Sequence, residues 1–286
     1  MPSLIDIRRR IRSVKNTQQI TKAMKMVSAA KLRRAQDRVI ASRPYGALLR
    51  KVLGNVAAAV AQDEQAGQNP LLARREEKRI LLVLVTGDKG LAGAFNSNTI
   101  KVAQRFLVEH PGGEIRMELI GRKGRDFFRK RNARISGEHV GLAAKVIYRD
   151  VAAIAQQAME LYRNEEIDAV YLVYNEFKSV VAQQLTLTRV LPVELPQQAA
   201  PVDYIFEQPP AEMLGSLLPR YVEMEFYRAL LESAAAEHAA RMTAMDAATS
   251  NAGDMIEKLT LYMNRVRQAS ITKEIIEVVS GAAAAE

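Results

Sequence analysis

Three glycines stand where a chain could bind a phosphate. Gly87, Gly90 and Gly93 follow an apolar run at 79–85 (RILLVLV) and precede a predicted helix at 98–109. The run is short and rich in β-branched residues, which predicts a buried strand, and the start of a helix behind such a turn can bind anions. The spacing, however, matches neither G-x-G-x-x-G nor G-x-x-x-x-G-K-[ST]. We therefore favour a tight turn that packs a helix against a strand over a nucleotide site.

The other side chains that could do chemistry are scattered. His110, His139 and His238 lie far apart in the sequence and do not suggest a metal site. Asp88 and Lys89 are best interpreted as an exposed pair in the turn. No pattern combines a nucleophile, a base and donors for an oxyanion. The sequence therefore predicts a protein without a catalytic site, metal or cofactor of its own.

Composition excludes further classes of protein and of chemistry. The chain has 286 residues, 48% of them hydrophobic, and no cysteine, which excludes disulfides and thiolate chemistry. No apolar run approaches the roughly 18 residues of a membrane span. The N-terminus is Arg-rich and amphipathic, like a mitochondrial transit peptide. Its helical pattern continues past Leu32 without a break, which favours a helix of the folded protein.

Positive charge is concentrated at one end of the chain. Residues 1–51 contain fourteen basic and two acidic residues, a net charge of +12, whereas the remainder carries −3. This charge indicates either a solvated helix face or a surface for acidic partners or anionic polymers. No aromatic residue interleaves the basic ones before Tyr45, which argues against nucleic acid.

Both ends of the chain predict long helices. Residues 3–58 begin with the 3-4-3 apolar spacing of a coiled-coil seam, and residues 209–282 carry similar stripes around an Ala-rich stretch. Pro44 is expected to kink or interrupt the first helix, and Pro219 to bend the second. The polar residues 61–70 read as a linker.

The middle of the chain alternates strand and helix patterns. After the strand at 79–85, strands are predicted at 115–120 and 168–174, and an alternating pattern at 183–190 indicates an antiparallel edge strand. Helices are predicted at 98–109, 124–131 and 145–164. The fold class is thus α/β: a long antiparallel coiled coil of the terminal helices plus a Rossmann-like α/β central domain. The predicted parts are 1–60 (N-terminal helix), 75–200 (α/β domain) and 208–286 (C-terminal helix).

The layout also predicts a register. If both long helices leave the central domain at the same level, the numbers of opposed residues add up to about 268, so that Leu4 faces Asn264. About 20 C-terminal residues then extend past the pair, over roughly 30 Å. This extension includes Ile271, Ile275 and Ile276. A lone apolar helix is unstable in water, so we expect other chains to surround it.

Three stretches carry a family resemblance. They are IRRRIRSVKNTQQITKAMKMVSAAKLRRAQ near the start, TGDKGLAGAFNSN in the centre, and AARMTAMDAATSNAGDMIEKLTLYMNRVRQASITKEIIEVVSGA at the end. In this order they resemble the gamma subunits of bacterial F-type ATP synthases over the whole chain. The resemblance implies a central rotor shaft that couples proton flow through the membrane c ring to ATP synthesis at a hexamer of alpha and beta subunits.

The resemblance also implies partners and a location. The coiled coil would enter the alpha/beta hexamer, and the globular end would sit on the c ring beside the epsilon subunit. The chain would be a peripheral component on the cytoplasmic side of the plasma membrane. The chloroplast-type redox segment with its cysteine pair is missing, so thiol regulation is not expected. The alternative from an unrelated class is a coiled-coil scaffold or a nucleic-acid-binding rod.

Individual contact residues follow from the same resemblance. Met24 matches the family's coupling segment near the catalytic beta subunits, and Arg267 and Gln268, in RQASIT, match positions that contact beta-subunit loops. Tyr204 and Glu207, in DYIFE, match the foot that meets the c ring.

Overall fold

The computed structural model describes residues 3–59, 69–195 and 208–283. The chain divides into two compact units. The first unit combines Met1–Ser28 with Met242–Glu286, and the second is Ala29–Arg241. Each unit has its own contacts and is described by itself.

Two helices account for most of the helical structure. Helix α1 is Leu4–Ala59 and helix α5 is Pro210–Ala283. The predicted interruption at Pro44 is wrong, because α1 is continuous through it. Proline removes one backbone donor, and the carbonyl of Ile40 that would have accepted it belongs to a solvent-exposed residue. Helix α5 is likewise continuous through Pro219.

The second unit is built on a five-stranded sheet in the order β3-β2-β1-β4-β5. Strands β1 to β4 are parallel, whereas β5 pairs antiparallel with β4 at the edge. The strands are β1 (Arg79–Val85), β2 (Glu114–Ile120), β3 (Ile135–His139), β4 (Ala169–Phe177) and β5 (Gln183–Leu191). The connecting helices are α2 (Phe95–Glu109), α3 (Arg122–Arg129) and α4 (Tyr148–Arg163).

The core of this unit lies around the central strand. Six of the seven residues of β1, Ile80 to Val85, are buried, as expected for a parallel strand covered on both faces. Apolar side chains of α2, β2 and α3 pack with one face of it, including Phe106, Met117 and Phe128. At the start of β1, the Asp168 carboxylate accepts from the Arg79 backbone N–H at 2.8 Å and from its guanidinium at 2.7 Å.

The long helices pair antiparallel within each unit. In the first unit the hydroxyls of Thr21 and Thr249 are 2.8 Å apart, and Lys25 Nζ lies 2.6 Å from Asp246. In the second unit, Arg43 pairs with Glu232 and Arg50 pairs with Glu225. The antiparallel pairing is confirmed, but the register differs from the predicted one by about two to seven residues. The difference is two to three residues in the first unit and seven in the second.

The sequence patterns located most strands. All four predicted strands are present, and the edge strand is antiparallel as predicted. Strand β3 was missed because its sequence, ISGEH, has a single large apolar residue. The α/β fold class, with long terminal helices and a mainly parallel central sheet, is confirmed. Among the described helices, none is long and apolar enough to cross a membrane.

Candidate functional site

The carboxyl ends of the parallel strands meet beside the glycine-rich turn. In open α/β sheets this edge is where ligands bind, at the point where the strand order reverses. Here that point lies between β1 and β4. Whether the turn at Gly87 can bind a nucleotide therefore depends on the residues that occupy this edge.

The backbone donor of Gly87 is already used within the protein. The Gly87 N–H donates to Asn96 Oδ1 at 2.8 Å, and the Asn96 amide donates back to Lys89 O at 3.3 Å. Leu91 and Gly93 take left-handed backbone conformations, with φ of 61° and 55°. Asn96, in the first turn of α2, thus holds the turn in a closed shape through its own side chain.

Asp88 has a structural role that the sequence did not reveal. Its carboxylate accepts from the Arg122 N–H at 3.0 Å and from the Gly141 N–H at 3.1 Å. Asp88 therefore joins the ends of β1, β2 and β3. The interpretation of Asp88 as merely an exposed turn residue was wrong, because parallel topology brings distant loops to one edge.

Helix α5 occupies the rest of the crevice. A Cβ atom at Gly87 would lie 2.8 Å from the Glu237 carboxyl carbon, so a larger residue there would displace the Glu237 carboxylate. Arg241 donates to Glu237 at 2.5 Å and contacts the Gly90 carbonyl at 3.4 Å. The α5 side chains thus take the place of a ligand at this edge.

Burial sets the charge states in this crevice. Desolvation raises the pKa of Glu237, while the neighbouring Arg241 partly offsets the shift. Burial, with the positive charges of Arg241 and Lys31, lowers the pKa of His238 to about 4. His238 is therefore neutral near pH 7.

The other two histidines lie elsewhere in the domain. His139 contacts the buried Glu118 at 2.5 Å, and His110 contacts the Phe106 carbonyl.

The second candidate region is the helical pair of the first unit. Its contacts are small and polar: Thr21 meets Thr249, and Gln18 donates to the Thr249 carbonyl at 3.4 Å. A Cβ atom added at Gly253 would lie 3.3 Å from the Gln18 amide nitrogen. Small residues here allow the two backbones to lie close together.

The predicted contact residues lie at two levels of this pair. Met24 is half-buried on α1, at the level of the Lys25–Asp246 ion pair. Arg267 and Gln268 are exposed on α5, roughly 30 Å further along the helix. Tyr204 and Glu207 lie outside the described residues.

The end of α5 presents apolar side chains to solvent. Residues 271–280 are all exposed, which confirms the predicted extension past the pair. The large apolar members are Ile271, Ile275, Ile276, Val278 and Val279, between 48% and 72% exposed. In the Ala-rich part of α5 the sequence reading missed a different feature, the buried acids Glu232 and Glu237. The sequence signal that could have revealed them is the presence of acidic residues inside an apolar stretch.

Comparison with known proteins settles the family. A family model described as ATP synthase matches residues 3–285. The ATP synthase gamma chain of Solibacter usitatus is 82% identical over 286 residues and all of both chains. The gamma chain of Anaeromyxobacter sp. strain Fw109-5 is 52% identical over 289 residues, covering 99% of each chain. The chain belongs to the gamma-chain family of the ATP synthases.

Solved structures agree with this membership. The central stalk and c-ring structure of the Tetrahymena thermophila mitochondrial ATP synthase contains a chain 25% identical, with a TM-score of 0.63 over 80% of this chain and 99% of that one. A chain of the Euglena gracilis mitochondrial ATP synthase has the same fold, with a TM-score of 0.67 and 18% identity over 98% and 94%. As a gamma chain, the protein is a non-catalytic subunit of an ATP synthase complex, as the sequence predicted.

Proposed function

We propose that the chain is the rotating central shaft of a bacterial F-type ATP synthase, coupling proton flow through the membrane c ring to ATP synthesis. The helical pair of the first unit enters the hexamer of alpha and beta subunits. The α/β domain lies at the membrane end, against the c ring and the epsilon subunit. The complex places this domain on the cytoplasmic side of the plasma membrane, where the chain is peripheral.

One observation carries this proposal beyond family membership. Ten consecutive residues, 271–280, are exposed on every face of α5, and five of them are large and apolar. A helix packed on one side only would be polar on the other. A collar of surrounding subunits would bury all these faces, and apolar contacts are non-directional. Such a surface suits a tip that turns past three similar neighbours.

Asymmetry supplies the mechanism. The helical pair presents a different set of side chains in each direction, so the three catalytic sites meet different faces. Each site then has a different affinity for nucleotide, and rotation moves these differences from site to site. Arg267 and Gln268 contact beta-subunit loops below the tip, Met24 lies in the coupling segment, and Tyr204 and Glu207 meet the c ring.

Reconstitution tests the proposed function directly. The chain should form a stable complex with purified alpha and beta subunits on gel filtration, and the complex should hydrolyse ATP. A chain that remains separate from alpha and beta, or that binds DNA in a strongly salt-dependent way, would support a scaffold or nucleic-acid-binding rod instead.

Met24 gives the first prediction on a single residue. Met24→Lys places an ammonium group at a half-buried position beside the pairing surface. There it attracts acidic groups of beta and adds a contact that must break in each turn, at roughly 1 kcal/mol or more. We expect weakened ATP-driven proton pumping with ATP hydrolysis largely retained, measured on membrane vesicles.

Met24→Leu is the matched control, because it keeps the volume and the apolar character. It should pump like the parent. If Met24→Lys pumps protons and hydrolyses ATP like the parent, the assignment of Met24 to the coupling segment is contradicted.

A further inference from the structure

Helix α5 carries three carboxylates that are almost completely buried in the second unit. Glu223, Glu232 and Glu237 are 9%, 3% and 7% exposed. Burying a carboxylate is costly unless hydrogen bonds or a counter-charge replace its water. Stability alone would be served by apolar side chains here, so the partners of these three groups indicate another role.

Glu223 contacts α4. Its carboxylate accepts from the Tyr148 hydroxyl at 2.6 Å and from the Gln156 amide at 2.9 Å. Burial and the hydrogen bond to Glu223 raise the pKa of Tyr148 to about 12. The hydroxyl therefore keeps its proton at physiological pH and remains a donor.

Glu232 contacts the end of β4. Its Oε2 accepts from the Phe177 backbone N–H at 3.0 Å, and its Oε1 lies 3.4 Å from the Arg43 guanidinium of α1. One side chain thus connects α5 with both the central sheet and the first helix.

Glu237 contacts the turn after β1. It lies against Gly87, where a Cβ would be only 2.8 Å away, and it pairs with Arg241, which in turn reaches the Gly90 carbonyl. The three carboxylates therefore engage three different parts of the α/β domain.

The positions of the three groups matter as much as their partners. Because an α-helix turns 100° per residue, Glu232 points about 180° away from Glu223, while Glu237 points within about 40° of Glu223. The contacts extend over roughly 21 Å of the axis. Residues 229–237 of α5 are buried without interruption. Turning or sliding α5 would therefore break hydrogen bonds on opposite sides of the helix at once.

We propose that Glu223, Glu232 and Glu237 form a carboxylate latch that transmits torque between α5 and the α/β domain. The apolar contacts around α5 are non-directional, whereas hydrogen bonds to charged groups have defined geometry. The latch residues are positioning residues. This proposal rests on the proposed function, because it requires α5 to turn as part of a shaft.

The test uses the intact ATP synthase and charge-neutral variants of the same shape. Glu223→Gln, Glu232→Gln and Glu237→Gln are combined in one chain. ATP hydrolysis should stay within about two-fold of the parent, while the ratio of protons pumped to ATP hydrolysed falls at least about two-fold. The torsional stiffness of single complexes should fall as well. Glu212→Gln, an exposed glutamate of the same helix, is the matched control and should change neither quantity.

A double-mutant cycle keeps the test decisive if the triple variant does not assemble. Tyr148→Phe removes the donor to Glu223 from a half-exposed side chain without altering α5. Tyr148→Phe and Glu223→Gln should each lower the pumping ratio, and the double variant should lower it no further. Variants that melt at lower temperature but pump at the parent ratio would show a merely structural role and overturn the latch. Failure of the parent chain itself to assemble would instead count against the proposed function.

Discussion

Replacing Ile275, Ile276 and Val279 together with aspartate should prevent the chain from assembling productively with alpha and beta subunits. These side chains are 57%, 58% and 62% exposed in the free chain, so the substitutions should not disturb its own folding. In the complex each aspartate would lose its water inside an apolar collar, at several kcal/mol per charge. A total of at least about 4 kcal/mol corresponds to a thousand-fold weaker association.

The measurement is gel filtration of the reconstituted complex, followed by ATPase and pumping assays. A variant with leucine at the same three positions keeps the apolar character and should assemble like the parent. Removal of the final six residues, GAAAAE, should also cost little. Parent-like assembly and coupling of the aspartate variant would contradict an enclosed tip and favour the scaffold alternative.

The long helices and most strands follow from patterns local in sequence. Apolar spacing along α1 and α5, and the runs of β1 and β4, are sufficient to place these elements to within a few residues. Strand β3 (ISGEH) carries too little apolar signal, and it forms because β2 offers it a hydrogen-bonding edge. The register was predicted to within two to three residues in the first unit, but it differs by seven in the second, where Arg43 and Arg50 pair with Glu232 and Glu225.

Some features of the candidate sites follow from the local sequence, and others do not. The exposed apolar tip was deducible, since it follows from helix length and the pairing pattern. The roles of Asp88 and Glu237 were not deducible from spacing, because their partners lie far away along the chain. Arg122 and Gly141 reach Asp88 only through the order of the parallel strands. Long-range contacts of this kind are a property of topology.

A single added methyl group at Gly121 should cost the domain much of its stability. The φ of Gly121 is +94°, a conformation that strains any residue with a Cβ by roughly 1–3 kcal/mol. A Cβ there would also lie 2.1 Å from the Thr86 carbonyl oxygen. That oxygen belongs to backbone held in place, because the Thr86 N–H donates to the Ile120 carbonyl at 2.8 Å.

Gly121→Ala should therefore lower the free energy of unfolding by roughly 3–5 kcal/mol, as strain and overpacking add. Two other glycines separate these causes. A Cβ at Gly141, with φ of +91°, meets open space, so Gly141→Ala carries strain alone, roughly 1–3 kcal/mol. Gly46 lies inside α1 with open space around it, and Gly46→Ala should stabilise by up to about 1 kcal/mol.

Urea unfolding of the purified chain, followed by circular dichroism, ranks the three variants. The expected order of stability is Gly46→Ala above the parent, then Gly141→Ala, then Gly121→Ala. Equal losses at Gly121 and Gly141 would mean that backbone strain alone accounts for both and that the Thr86 carbonyl yields to the added methyl. A larger loss at Gly121 would show that the close approach of the β1 and β2 ends stabilises this domain, at the edge where Asp88 also accepts from the Arg122 N–H.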